Sequence, residues 1–147
     1  MNGNDVTKGR ALMAGWILPA LAYVVLVGIA GITTKVALRT IEWQQIVYWV
    51  PVVYAFLSVI LYLVYHKPMV LGPGGGWAIV TAFAAAGGLI CFFYALSKGD
   101  ASVVVPTTSA YPVVALAGGA IFLSESITVT RLIGTALVIA GVVVISS

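Results

Sequence analysis

The stretch WAIVTAFAAAGGLICFFYALSKGDASVVVPTTSAYPVVALAGGAIFL, Trp77 to Leu123, decides how this chain folds. Lys98 and Asp100 are its charged residues, and both sit in the short polar segment Ser97-Lys98-Gly99-Asp100. On either side lies an apolar run of about 20 residues. A helix rises about 1.5 Å per residue, so each run crosses a hydrocarbon core about 30 Å thick. Four polar residues leave room only for a tight turn. The stretch therefore predicts an antiparallel pair of membrane-spanning helices.

The same reading extends outward. No Asp, Glu, Lys or Arg occurs between Arg10 and Lys35, from Trp43 to Tyr65, or from Leu132 to Ser147. The expected helices run from Leu12 to Thr34, Ile46 to Tyr65, Trp77 to Leu96, Ala101 to Leu123 and Val129 to Ile145. Backbone groups in lipid must find partners within their own segment, so helices are the expected spanning form. A β-barrel would need alternating polar residues, which these runs lack. The expectation is an all-α integral membrane protein of five helices. Residues 1–10 read as a polar N-terminal tail, and residues 11–147 as one membrane domain.

Composition agrees. The hydrophobic fraction is 62% and the charged fraction 7%, with a mean hydropathy of +1.14. A soluble domain carries about a quarter charged residues. Seven Lys and Arg with four Asp and Glu cannot cover a water-facing surface, so no extramembrane module is expected. The basic residues are scattered at helix ends, with no cluster of the kind nucleic acid binds. Cys91 stands alone in mid-span and has no partner for an internal disulfide. Lys8 and Arg10 precede the first apolar run, which is too long for a signal-peptide core and reads as a retained helix. Trp16, Trp43, Trp49 and Trp77 fall near expected helix ends, matching an aromatic belt.

Orientation is nearly balanced. One face would carry Lys8, Arg10, Lys67 and Arg131, the other Lys35, Arg39 and Lys98. Cytoplasmic loops normally hold the excess of Lys and Arg. Two readings follow: a weak preference for the N-terminus inside, or insertion both ways with two copies pairing antiparallel.

Three helix faces carry polar or small residues at helical spacing. They are Trp16, Ala20, Tyr23, Val27, Ala30 and Thr34; Ala84, Gly87, Cys91, Tyr94 and Lys98; and Thr107, Thr108, Tyr111, Ala115 and Gly118. Polar groups within a bilayer face a bundle interior or a wet cavity. The plain alternative is helix packing through small residues, with hydroxyls bonded to their own helix. Tyr23, Tyr94, Thr107, Thr108 and Tyr111 are the candidate solute-binding residues. Pro106 and Pro112 each remove a backbone donor and are candidate hinges.

No carboxylate is expected in mid-membrane. Glu125 is the nearest candidate for a proton-coupling acid, and the alternative is a structural pair with Arg131. His66 stands alone in a connection, and GPGGG lacks the Lys-Ser/Thr of a phosphate loop, so it reads as a turn. No catalytic site, metal site or cofactor is expected.

Several motifs together resemble EamA-type members of the drug/metabolite transporter superfamily. They are ALSKGDASVVVP from Ala95 to Pro106, YPV from Tyr111 to Val113, FLSE from Phe122 to Glu125, and GTALVIAG from Gly134 to Gly141. Lys35, closing the first span, sits where that family often has a lysine; Lys35, Lys98 and Glu125 are the helix-end charges of interest. Most members look like two five-helix repeats of opposite orientation, and this chain matches one. The resemblance implies that two copies, or this copy and a paralogue, form a ten-helix transporter whose pathway is lined by helices 1, 3 and 4. The small four-helix drug exporters of the superfamily use a carboxylate in helix 1, which is absent here. The resulting expectation is a secondary transporter of small organic metabolites, multi-pass in a prokaryotic inner membrane. It would work by alternating access as an antiparallel homodimer in the lipid bilayer. A half-transporter needing a paralogous partner and a non-transporting accessory subunit are the alternatives.

Overall fold

The computed structural model describes residues 3–69 and 72–147, and their regular secondary structure is all α-helix. In chain order the helices are α1 (Gly3–Ala37), α2 (Trp43–Tyr65), α3 (Pro73–Lys98), α4 (Ala101–Thr108), α5 (Pro112–Phe122) and α6 (Val129–Ser146). Five segments are long and apolar enough to cross a membrane: Gly15–Ala37, Trp43–Tyr65, Gly74–Lys98, Ala101–Phe122 and Val129–Ser146. The fourth span is thus made of two half-helices, α4 and α5.

Besides this break, the largest departures from the sequence reading are at the starts of α1 and α3. Helix α1 continues back to Gly3. Helix α3 begins at Pro73, so the glycine-rich run expected as a turn forms its first turn instead. A proline at the first helical position loses no hydrogen bond, and its fixed φ suits the helix, which starts α3 despite three following glycines.

Local chemistry explains the remaining ends. The Glu42 N–H donates to Gln45 Oε1 at 2.9 Å, half of a capping box that starts α2. His66, at φ 52°, ends α2 with its N–H on Tyr62 O at 2.7 Å. Asp100 O accepts from Val103 and Val104 and starts α4. The Thr128 hydroxyl accepts from the Arg131 N–H at 3.4 Å and starts α6.

Helices α1, α3 and α4 pack on one another, α2 packs on α3, and α6 runs beside both α4 and α5. Gly31 permits the closest approach: a Cβ there would lie 2.6 Å from Val105 Cγ2 on α4. Phe93 and Leu96 are the buried hydrophobic side chains among the described residues, and Thr34 is the buried polar one. Leu96 sits where Lys35 of α1 meets the end of α3, and Phe93 lines the groove between α2 and α3. Elsewhere the large apolar side chains point outward, as lipid-facing helices require.

Candidate functional site

Two clusters of polar groups occur at helix ends, and they are built differently. The first joins α1, α2 and the end of α3. The Lys35 ammonium donates to Leu96 O at 2.9 Å and to Gly99 O at 2.7 Å. These are carbonyls that a helix C-terminus leaves without intrahelical donors, and a cation there also meets the negative end of the helix dipole. Tyr94, one turn back, has its ring 5.6 Å from that of Trp43 in an edge-on arrangement at 79°. The Lys98 ammonium lies 5.8 Å from the Tyr94 ring centroid. Lys35 thus ties the α3–α4 turn to α1, and Tyr94 ties the end of α3 to α2.

The second cluster is the break in the fourth span. Helix α4 ends at Thr108, three residues intervene, and Pro112 opens α5. Pro106 is accommodated inside α4, so the chain departs from helix just before Pro112 and after Pro106. Pro112 has no N–H to give to Thr108 O four residues back, which is the physical cause of the break. Ser109 N–H turns back to Pro106 O at 2.9 Å and Ala110 N–H to Thr107 O at 3.2 Å. Among the described residues no backbone N–H reaches the carbonyls of Thr108 and Ser109. The break lies about 12 Å from the Asp100 end of the span, counting about 1.5 Å per residue, and so near mid-depth.

The hydroxyls at this break are directed inward along α4. Thr107 Oγ1 donates to Val103 O at 2.7 Å. Thr108 Oγ1 and Ser109 Oγ both donate to Val105 O, at 2.8 Å and 3.1 Å. Their protons are used within the helix, and their lone pairs remain. Thr107, Thr108, Ser109 and Tyr111 are all exposed within this chain. Ser109 escaped the sequence reading, although the run TTSAYP, with three hydroxyls before a proline, carried the signal.

Tyr111 and Pro112 also form the inner end of a groove of about 420 Å³ between α5 and α6. Its outer end carries Glu125 and Arg131, with Arg131 Nη1 3.6 Å from Glu125 Oε2 and 3.1 Å from Ser126 O. The turn folds back so that Glu125 N–H donates to Gly119 O at 3.0 Å. Glu125 is thus paired at a helix end and lies outside the spans. A larger groove, about 550 Å³, separates α2 from α3, and its lining is apolar.

The candidate residues accordingly divide. Thr107, Thr108, Tyr111, Pro106 and Pro112 come together at the break. Tyr94 belongs to the other cluster, with Trp43 and Lys98. Tyr23 lies on the exposed side of α1. Pro19, inside α1, was not singled out from sequence, although a proline within an apolar run is a visible mark of a freed carbonyl.

Residues 14–147 match the family model described as the EamA-like transporter family, and the chain belongs to that family. It is also 39% identical over 70 residues to an uncharacterized protein of Methanocaldococcus jannaschii. That alignment covers 48% of this chain and 51% of the relative, so the chain matches about half the length of that protein. No solved structure matches it.

Proposed function

We propose that this member of the EamA-like transporter family is a secondary transporter of small organic metabolites, active as an antiparallel homodimer in a prokaryotic inner membrane. One observation carries the reading. The fourth span is broken near mid-depth, the break is exposed, and among the described residues no backbone N–H reaches two of its carbonyls. Irregular backbone at membrane depth is tolerated only where protein or a water-filled cavity covers it. Transporters place solute sites at such interruptions. A second copy, inverted, supplies the missing wall, and the near balance of basic residues between the two faces suits insertion in both orientations.

In this reading solute binds at the break, between the two copies, with Thr107, Thr108 and Tyr111 as first contacts and the exposed Tyr23 of α1 as a further one. The segment between Thr108 and Pro112 absorbs the bending that exchanges inward and outward forms. In a symmetric dimer those two forms are one structure with the copies exchanged, so their energies are equal. Facilitated movement or exchange needs no further coupling group.

The test is purified chain in proteoliposomes. Solute counterflow by this chain alone, with single-cysteine tags labelled from both sides of the membrane, is the expected result. Flux that needs a second, different chain assigns it as a half-transporter. A monomer that still moves solute, or tags reached from one side only, overturns the inverted dimer. Unchanged flux after Tyr111→Ala overturns the site.

A further inference from the structure

The break sorts hydrogen-bond donors from acceptors, and this inference rests on its proposed role as the solute site. The Thr108 and Ser109 hydroxyls give their protons to the same carbonyl, Val105 O, so they lie beside each other with only lone pairs to offer. The Thr107 hydroxyl is committed in the same way to Val103 O. The carbonyls of Thr108 and Ser109, which Pro112 and the turn leave unmet among the described residues, add two further acceptors. Acceptors therefore outnumber donors at the end of α4. The donors here are the Tyr111 phenol and the backbone N–H groups of Tyr111 and Val114, which likewise meet no backbone partner outside α5.

A carbonyl-rich helix C-terminus attracts positive charge. An exposed aromatic ring beside it, Tyr111, adds attraction for a cation over its face. An ammonium group has three donors and no acceptor, and it matches such a surface without needing a carboxylate. A carboxylate solute would meet only lone pairs at the α4 end, with the Tyr111 phenol and the two N–H groups opening α5 as its donors.

We propose that the Thr107–Ser109 end of α4 binds the protonated amine of a solute, and that this chain discriminates against anions of similar size at that point. No carboxylate takes part. The charge is met by fixed carbonyl and hydroxyl oxygens.

The experiment uses the full chain in proteoliposomes with putrescine and succinate as probes of similar length and opposite charge. The melting temperature with each probe is measured in parallel. The expected result is putrescine flux above succinate flux, with putrescine raising the melting temperature. Hydrogen bonds to a charged group contribute about 1.5–3 kcal/mol each, so Thr108→Val and Ser109→Ala should each reduce the preference by about tenfold or more. Thr108→Ser keeps the hydroxyl and should keep the preference. A putrescine-induced thermal shift without flux would leave the amine site standing and reject the transporter reading. Succinate flux equal to or above that of putrescine would overturn the amine site and leave transport intact. Neither flux nor a shift with either probe would overturn the amine site. The wild-type ratio decides even where a variant fails to fold.

Discussion

Helix α3 and helix α4 both end with carbonyls that lack their own N–H, and the chain treats the two ends in opposite ways. At α3 a lysine from another helix fills the gap, and a Tyr–Trp contact closes the joint around it. At α4 a proline removes the next donor, and among the described residues no backbone N–H fills the place. At the first end Leu96, whose carbonyl meets Lys35, is fully buried. The second is exposed. Completed hydrogen bonding marks the fixed joint of the bundle, and incomplete hydrogen bonding marks the surface left for something else.

Removing the lysine should give the largest effect. Lys35→Met deletes two charge-assisted hydrogen bonds, each of the class that contributes about 1.5–3 kcal/mol, and leaves Leu96 O and Gly99 O unmet in a partly buried place. The expected outcome is a destabilisation of about 3 kcal/mol or more, read by thermal melting in detergent. Lys35→Arg should recover part of it, because a guanidinium keeps the charge but does not fit the same point contact. An unchanged melting temperature would show that the α3 end is as open as the α4 end. Next in size is Gly31→Ala. The new methyl would meet Val105 Cγ2 at 2.6 Å, and valine has little rotamer freedom to move away. Overpacking of this kind costs about 1–3 kcal/mol. The variant should melt lower and should also disturb flux, since Val105 carries the carbonyl that orients Thr108 and Ser109.

The sequence carried these two ends unequally. The spans are visible as charge-free runs because lipid penalises charge along their whole length, and that signal needs no tertiary knowledge. The break was visible only approximately. Two prolines marked the fourth span, yet Pro106 stays within helix and Pro112 sits at the departure, and the difference depends on whether the residues after each proline can close a new helix. The α3 joint was not visible. Lys35 and Leu96 are 61 residues apart, and nothing local says that one will cap the other. The same holds for the contacts of Tyr94, a candidate solute residue from its polar stripe whose ring also meets Trp43 of α2 and Lys98.

Pro112→Ala attacks the contrast from the other side. Alanine restores an N–H that can reach Thr108 O and lets α4 run into α5. Healing one hydrogen bond should raise stability by about 1 kcal/mol, while flux falls because the bend is lost. A gain in melting temperature with a loss of transport separates this change from ordinary damage. Equal flux in the healed helix would remove the break from the mechanism.

The smallest effect should come from the most conspicuous charge pair. Glu125 and Arg131 face each other at 3.6 Å, but their side chains are 56% and 55% exposed. Exposed pairs contribute about 0.2–1 kcal/mol, because water and salt screen them and two side chains must be held still. Glu125→Gln should therefore lower stability by less than about 1 kcal/mol, and the loss should shrink further in high salt. The Gly119 O bond to the Glu125 N–H is a backbone contact that the substitution leaves in place. What distinguishes Lys35 from this pair is its partners: two helix-end carbonyls in a partly buried site, against a carboxylate that is more than half exposed. A loss at Glu125→Gln as large as at Lys35→Met would mean that the α5–α6 turn is covered in the assembled protein, placing a second copy over the outer end of the groove.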